Sequence, residues 1–156
     1  MAAPFTLPAG TAADRLDALD ALLRFGAGQD LRDRALFESA FTADATLDFT
    51  QPAARFGVHV DVFAGRDSVV STIFANIAPL DTTHTVTNGR VHVEGDTARL
   101  MALVEAQHVQ RAAPSRRLLL KNWYDVDLRR EAGTWRMARV RIDNVWFEGE
   151  AAVLFG

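Results

Sequence analysis

The sequence predicts a single α+β domain over residues 1–156, in which N-terminal helices are followed by a mostly antiparallel β-sheet. Two observations carry this prediction. Apolar residues recur every three to four positions before Pro79, as in amphipathic helices, and alternate with polar residues after it, as in half-buried strands. The 156 residues, 49% of them hydrophobic and 24% charged, have the composition of one average globular domain, and no repeat or linker divides them.

Two helices are predicted before the first strand, with a pair of glycines between them. Thr11 is expected to cap a first helix that ends near Phe25, because Gly26-Ala27-Gly28 interrupts the apolar pattern. Asp30 then precedes a second apolar-periodic stretch that reaches Phe41. We therefore expect Asp30 at the start of the second helix.

The middle of the chain predicts two short strands and a third helix. Residues 45–50 and 58–63 have the composition and alternation of strands. Asp67 is the expected N-cap of the third helix, which Pro79 closes. Beyond it, turn residues separate four long strands, which must twist and curl because of their length. Their predicted spans are 82–94, 97–111, 116–130 and 134–147.

The composition excludes several classes of function. A formal net charge of −3 provides no basic surface for a phosphate backbone, so no nucleic acid partner is expected. The chain has no cysteine, which removes disulfides and thiolate chemistry. The first ten residues lack the charged region of a signal peptide, and the late apolar run Ala151–Phe155 is far shorter than the ~20 residues that span a bilayer. These observations predict a cytoplasmic protein without a membrane segment.

Polar side chains interrupt the predicted core face of two long strands. In the strand over 97–111 the apolar alternation leads to His108, and in the next strand Asn122 and Tyr124 lie in the middle of the inner face. Burying each of these groups without a partner costs ~1–3 kcal/mol. A cavity that holds a ligand or water is one explanation, and a satisfied polar network in the core is the other.

Asp30 and His84 have simpler explanations when each is considered alone. An Asp between a glycine-containing loop and a helix is usually an N-cap, and a His among threonines at the start of a strand is usually exposed. Two further pairs have the same-face spacing of metal ligands, but both lie near turns and are interpreted as solvated: His59 with Asp61, and His92 with Glu94.

Motifs for the common cofactors and nucleophiles are absent from the sequence. The chain has no G-x-S-x-G elbow, no GxxxxGK[ST] phosphate loop and no H-E-x-x-H helix. Gly26-Ala27-Gly28 lacks the third glycine and the preceding strand of a dinucleotide-binding fingerprint. We therefore expect no NAD, no ATP, no other cofactor and no metal.

Several short segments follow one another in a distinctive order: Asp30–Asp33, Phe41–Phe49, Gly65–Asp67, Thr83–Asn88 and Gly133–Met137. Their order and spacing resemble the SnoaL-like branch of the nuclear transport factor 2-like superfamily and, within it, the scytalone dehydratases. The resemblance covers nearly the whole chain. It implies a cone-shaped, cystatin-like α+β fold, with N-terminal helices packed on a strongly curved, mostly antiparallel sheet.

The resemblance also implies an active site at the mouth of the cone. Asp30 and His84 match the Asp–His pair of the family, and His108 matches its second histidine. A carboxylate that accepts the Nδ1 proton of His84 leaves Nε2 free to take a proton next to a carbonyl group. The implied substrate-binding residues are Asn122, Tyr124, Phe147, Gln29 and Phe49, the last two standing where scytalone dehydratases have tyrosines.

Three functions remain open at this point. The first is a cofactor-independent lyase or isomerase, dehydratase- or cyclase-like, that acts on a small cyclic or aromatic carbonyl compound. The second is a non-catalytic domain that binds a small apolar or aromatic ligand, because one fold hosts many functions. In the third, Asp30, His84 and His108 bind iron as a triad of two histidines and one carboxylate.

Two surface features predict contacts beyond the site. Trp123, set between Lys121 and Asp125, points outward, and we expect this aromatic face to pair with another subunit in a homodimer or homotrimer. The C-terminal segment 147–155 has an apolar end and is expected to fold over the mouth of the cone.

Overall fold

The computed structural model describes residues 8–155, except for the side chain of Phe155; most of the N-terminal segment considered above for a signal peptide lies outside these residues. Helices come first and long strands second, as predicted. The helices and strands are α1 (Ala12–Asp30), α2 (Arg34–Ser39), β1 (Phe41–Asp48), α3 (Thr50–Arg55), β2 (Phe63–Ala64), α4 (Arg66–Ile77), β3 (Leu80–Glu94), β4 (Thr97–Gln110), β5 (Arg117–Glu131), β6 (Thr134–Gly149) and α5 (Ala152–Phe155). None of the helices in this part of the chain is long and apolar enough to cross a membrane.

The six strands form one curved mixed sheet in the order β2-β1-β6-β5-β4-β3. Neighbouring strands pair antiparallel, except for β1 and β6, which run parallel. The four predicted long strands are confirmed, with ends that shift by at most two residues. The predicted fold class, helices on a curved and mostly antiparallel sheet, is therefore confirmed.

The predicted helix break at Gly26-Ala27-Gly28 is wrong, because α1 continues to Asp30. Both glycines are sites of close packing. A Cβ on Gly26 would lie 3.0 Å from the Cβ of His84, and a Cβ on Gly28 would lie 2.6 Å from the backbone nitrogen of Phe37. The glycines therefore allow α1 to approach β3 and α2 closely, and tertiary packing overrides their low helix propensity.

Asp30 is the last residue of α1 and does not cap α2. The N-cap of α2 is Asp33, whose carboxylate accepts a hydrogen bond from the backbone N–H of Leu36 at 2.9 Å. The interpretation of Asp30 as an N-cap is therefore wrong. The second helix ends at Ser39, and β1 already begins at Phe41.

The segment between β1 and α4 differs most from its prediction. The helix α3 was not predicted from the sequence. At its start, the carboxylate of Asp48 accepts hydrogen bonds from the backbone N–H and the hydroxyl of Thr50, at 3.0 and 2.7 Å. The predicted strand 58–63 is reduced to Phe63–Ala64, because only these two residues pair with β1. Gly65, with a φ of 86°, is the N-cap of α4 in place of Asp67, which lies in the first turn.

Two apolar clusters hold the helices on the inner face of the sheet. The larger one joins α1, α2 and α4 to the sheet, and its fully buried side chains include Leu22, Phe37, Phe41, Leu100 and Met137. The smaller one is built from Leu80, Ala106, Leu118, Leu120 and Val153 of α5. Residues of both clusters, or packed against them, line one cavity.

Candidate active site

The cavity lies between α1, α4 and the inner face of the sheet. About 80 Å³ of it is open to the centres of water molecules, and since a single water requires ~10–15 Å³ of such space, several waters or a small ligand fit. The walls are mostly apolar, with Phe25, Leu47, Phe63, Ile73, Leu120 and Ile142 among them. The polar side chains that reach it are Gln29, Asn76, His84, His108, Asn122 and Tyr124. Apolar walls with a few convergent polar groups are typical of small-molecule sites.

Asp30 and His84 form a hydrogen-bonded pair, of which His84 lines the cavity. Asp30 Oδ1 lies 2.7 Å from His84 Nδ1, and Asp30 Oδ2 accepts the backbone N–H of His84 at 2.7 Å. The hydroxyl of Thr82 donates a further hydrogen bond to Oδ1 at 2.9 Å. The side chain of His84 is 3% exposed. Because Nδ1 is engaged by the carboxylate, Nε2 is the ring nitrogen that remains available to a ligand.

The carboxyl of Asp30 is held in its ionised form. Partial burial raises its pKa, but the hydrogen bonds and charge of His84, together with the hydrogen bond from Thr82, outweigh burial and lower the pKa below its usual value. An ionised carboxylate is the state that accepts the Nδ1 proton and stabilises an imidazolium. The pair therefore has the charge distribution of a base and its orienting group.

His108 lies beside this pair and is neutral near pH 7. Its ring centroid is 6.0 Å from that of His84, with an angle of 85° between the ring planes. Burial, reinforced by the nearby charge of His84, lowers the pKa of His108 to about 4. Hydrogen bonding with the backbone of Leu118 and Ala106 partly offsets this lowering of the pKa, but Nδ1 of His108 is buried without a bond of good geometry within residues 8–155. A neutral imidazole has one N–H to donate, so His108 is equipped to bind an acceptor on a ligand.

Asn122 presents an amide NH₂ group that has no partner among the described residues. Its Oδ1 accepts a hydrogen bond from Asn144 Nδ2 at 2.8 Å, while Asn144 donates its backbone N–H to Gln51 Oε1 at 2.7 Å. With its oxygen engaged in this way, Asn122 keeps Nδ2 buried and unpaired within the described part of the chain. Tyr124, two residues further along the same face, has its pKa raised by burial and stays protonated.

The other proposed substrate-binding residues differ in their relation to the cavity. Gln29 and Phe49 line it, although Gln29 Nε2 donates to the carbonyl of Phe25 in its own helix at 3.2 Å. Phe147 is not among the lining residues. Its ring packs edge-on against Phe56, with centroids 4.6 Å apart, and both rings pack against the smaller apolar cluster. The substrate contact of Phe147 stays a prediction.

α5 covers one side of the cavity. Leu154 lines it, and Val153 is buried in the smaller apolar cluster with 5% of its surface exposed. The helix contacts α4, β4 and β5. Phe155, the last residue of the segment 147–155 that was predicted to cover the mouth of the cone, has its side chain outside the described residues.

Three polar residues at or beside the cavity were not predicted from the sequence: Asn76, Arg32 and Thr82. Asn76 of α4 lines the cavity, and Arg32 donates a hydrogen bond to the hydroxyl of Thr82 at 3.1 Å. A signal for Thr82 was present, because a residue two positions before His84 in a strand shares its face. Nothing in the sequence marks Arg32 or Asn76, since their roles depend on how α1 and α4 meet β3.

Within residues 8–155, no group of three His, Cys, Asp or Glu side chains is placed to hold a metal ion. Asp30 and His84 contact each other through Oδ1 and Nδ1, so the structure does not assemble them with His108 as an iron triad. The two other pairs lie at the surface: His59–Asp61 at 3.5 Å and His92–Glu94 at 2.9 Å.

The outer face of the sheet around Trp123 carries a buried carboxylate. The side chain of Asp125 is 4% exposed, and Arg99 donates two hydrogen bonds to it, at 3.0 and 3.1 Å. Arg139 lies 3.6 Å from the same carboxylate. The ion pairs explain how a residue on the outward face is buried in one chain; pairing of this face with a second subunit stays a prediction.

The arrangement of helices on one curved, mixed sheet is that of a known class of domain. Residues 10–141 match the family model of the SnoaL-like domain, and the chain belongs to that family. Membership of the SnoaL-like branch, with its nuclear transport factor 2-like fold, is thereby confirmed.

Individual relatives fit the same family. Over 147 residues the chain is 32% identical to the terrestric acid biosynthesis cluster protein E of Penicillium crustosum, which covers 90% of this chain and 88% of that protein. Two solved structures from Novosphingobium aromaticivorans share the fold. One, a candidate aromatic ring hydroxylase, has a TM-score of 0.81 at 22% identity and covers 94% of this chain and 99% of its own. The other, a candidate scytalone dehydratase, has a TM-score of 0.74 at 15% identity and covers 88% of this chain and 89% of its own.

Proposed function

We propose that this protein is a cofactor-independent lyase or isomerase that removes a proton from the carbon next to the carbonyl of a small cyclic or aromatic compound. The observation that carries the proposal is the 2.7 Å contact between Asp30 Oδ1 and Nδ1 of His84, a residue that lines a mostly apolar cavity. The likeness to a protein of a biosynthesis cluster and to a candidate scytalone dehydratase supports it.

His84 is the proposed general base, and Asp30 orients it. Nε2 takes the proton, the C–H bond breaks, and its electron pair forms the carbon–carbon double bond of an enolate as the carbonyl electrons move to oxygen. The positive charge that develops on the imidazole ring is stabilised by the ionised carboxylate of Asp30. General-base catalysis of this kind contributes ~10²–10⁴-fold to the rate.

His108 and Asn122 are the proposed donors to the enolate oxygen. Each has a buried nitrogen without a hydrogen bond of good geometry in the described part of the chain, and leaving such a group unsatisfied costs ~1–3 kcal/mol. A ligand oxygen removes this cost, and more so when it carries the negative charge of an enolate. Donors that are fixed before the reaction stabilise developing charge without reorganising, which is the electrostatic part of the mechanism.

The fate of the enolate decides between the two reaction classes. In a lyase, the enolate expels a leaving group from the neighbouring carbon, and the protonated Tyr124 or the imidazolium of His84 supplies the proton that the leaving group takes up. In an isomerase, the imidazolium returns its proton to a different carbon atom. The cavity lining has no Lys or Arg among the described residues, which favours an uncharged ligand.

Deuterium exchange into simple ketones tests the proposal, because it requires only the proton-abstraction step and not the natural substrate. Purified protein is incubated in D₂O with a panel of monocyclic and bicyclic ketones, and loss of the proton next to the carbonyl is followed by ¹H NMR. We expect exchange with at least one ketone at a rate well above that with the His84→Gln variant. Equal rates for the two proteins with every ketone that binds would contradict the proposal.

A non-catalytic ligand-binding function is the second candidate. It is favoured by the two positions where the resemblance implies tyrosines. Gln29 stands at one of them and donates its amide NH₂ to a backbone carbonyl of its own helix. Phe49 stands at the other, and its side chain has no polar group. Binding of a ketone, measured by calorimetry, without any exchange would select this second function.

A further inference from the structure

Arg32 has an unusual position for a charged residue. It follows the C-cap of α1 with a φ of 58°, in the left-handed region where glycine is usual directly after a helix. Its guanidinium turns back into the protein and donates to the carbonyl oxygens of Gln29, Ile77 and Leu80. These carbonyls belong to α1, α4 and β3, so one side chain joins the three elements that meet at the site.

The fourth contact of Arg32 reaches the Asp–His pair through Thr82. The guanidinium donates to Thr82 Oγ1 at 3.1 Å, and Thr82 Oγ1 lies 2.9 Å from Asp30 Oδ1. A guanidinium has donors only, and a hydroxyl has one proton. Because Thr82 accepts from Arg32, its own proton is free to point at the carboxylate of Asp30. Thr82 is buried, with 7% of its surface exposed, so solvent does not compete for this hydroxyl.

The carboxylate of Asp30 is thus held by donors on both oxygens. Oδ1 accepts from His84 Nδ1 and from the hydroxyl of Thr82, and Oδ2 accepts the backbone N–H of His84. Without the Thr82 hydroxyl, the carboxylate of Asp30 is held only by the ring and the backbone N–H of His84. Asp30 would then follow any rotation of the His84 ring and could not fix the orientation of that ring. The hydrogen bond from Thr82 is also one of the interactions that lower the pKa of Asp30.

We propose that Arg32 and Thr82 are positioning residues: Arg32 orients the Thr82 hydroxyl, and this hydroxyl fixes Asp30 in the orientation that keeps His84 in its Nδ1–H form, with Nε2 as the base. The proposal rests on the proposed function for its consequence in catalysis. The geometry of the relay, however, is testable in the protein without substrate.

The tautomer of the His84 ring is the most direct readout, because a merely structural role of Thr82 would not change it. Protein labelled with ¹⁵N-histidine is measured by NMR at pH 8, and the His84 ring signals are assigned by their absence from the His84→Gln variant. In the wild-type protein we expect the Nδ1–H form alone. Thr82→Val removes the hydroxyl with little change in volume, and we expect a measurable population of the Nε2–H form.

Matched variants separate the relay from general effects. Thr82→Ser keeps the hydroxyl and should retain the wild-type tautomer. Thr83→Val makes the same change one residue later, at an exposed position on the opposite face of β3, and should also leave the His84 signals unchanged. Arg32→Met should shift the tautomer in the same direction as Thr82→Val, because the Thr82 hydroxyl is then free to turn away from Asp30.

The outcomes distinguish failure of the relay from failure of the proposed function. A Thr82→Val spectrum identical to that of the wild type would overturn the relay while leaving the Asp–His pair in place. If Thr82→Val does not fold, a wild-type tautomer in Arg32→Met would overturn it equally. If the His84 ring of the wild-type protein is instead in the Nε2–H form, Nε2 cannot be the base that the proposed function requires. With a ketone that exchanges, Thr82→Val should lose ~10-fold in rate, and Thr82→Ser should restore it.

Discussion

Replacing Gly26 by alanine is expected to separate α1 from β3 at the point where the Asp–His pair forms. The added Cβ would lie 3.0 Å from the Cβ and 3.7 Å from the Cγ of His84. Carbon atoms in contact normally stand ~3.5–4.0 Å apart, so helix and strand must move apart by roughly 0.5–1 Å. Asp30 lies one helical turn beyond Gly26 on the same face, and the movement therefore lengthens its 2.7 Å contact with His84 Nδ1.

Two opposing terms set the effect of Gly26→Ala on stability. Alanine favours the helix by ~1 kcal/mol, whereas overpacking of a filled interior costs ~1–3 kcal/mol, which leaves a net loss of about 0–2 kcal/mol. The effect on exchange is larger, because a misplacement of ~1 Å in a catalytic group costs ~10²-fold in rate. Urea unfolding measures the first quantity, and exchange of a ketone proton in D₂O measures the second.

Ala27→Gly is the matched control for this substitution. It changes the next residue of the same helix in the opposite sense, so it should lower the free energy of unfolding by ~1 kcal/mol and leave the exchange rate unchanged. The reasoning would be refuted by a Gly26→Ala protein that is more stable by the full helix-propensity difference and exchanges at the wild-type rate.

Three further predictions follow from the buried polar groups and from α5. Burial lowers the pKa of His108 from 6.5 to about 4, so between these pH values the unfolded state binds a proton that the native state does not. The free energy of unfolding should therefore fall by roughly 3 kcal/mol between pH 7 and pH 4. Urea unfolding across this range measures the fall, which should be smaller in His108→Gln. Asn122→Leu removes a buried unpaired NH₂ group together with the hydrogen bond that Oδ1 accepts from Asn144. Because Asn144 Nδ2 still donates to the carbonyl of Trp146, urea unfolding should show a change in stability of no more than ~1 kcal/mol, while exchange falls ~10²-fold; exchange at the wild-type rate would contradict the role of Asn122 as a donor. Leu154→Ala should raise the ketone concentration for half-maximal exchange ~10-fold with little change in melting temperature, and unchanged concentration dependence would show that α5 is not part of the site.

The long strands and the polar residues on their inner face were predictable because strand alternation is a local signal. Once the strands are assigned, the alternation puts His108, Asn122 and Tyr124 among apolar neighbours, and all three are buried and line the cavity. The SnoaL-like resemblance connected Asp30 with His84, two residues that are 54 positions apart and that no local pattern joins.

The course of α1 was not predictable from local signals. Gly26 and Gly28 indicate a helix end when the sequence is considered alone, and only the close approach of β3 and α2 explains why they lie inside a helix. The same approach makes Asp30 a helix-terminal residue that faces β3 and not an N-cap. Arg32 was missed for a related reason, because its acceptors come from three elements that are distant in sequence.

The central claim is that Asp30 and His84 act as one catalytic unit, and a double-mutant cycle on ketone proton exchange tests it most directly. Asp30→Asn keeps the size of the side chain but loses its charge, and His84→Gln loses the base. We predict that each single variant loses ~10²–10⁴-fold in exchange rate and that the double variant is no slower than the slower single one, because coupled groups are not additive. Wild-type exchange in Asp30→Asn, or losses that multiply in the double variant, would contradict the claim.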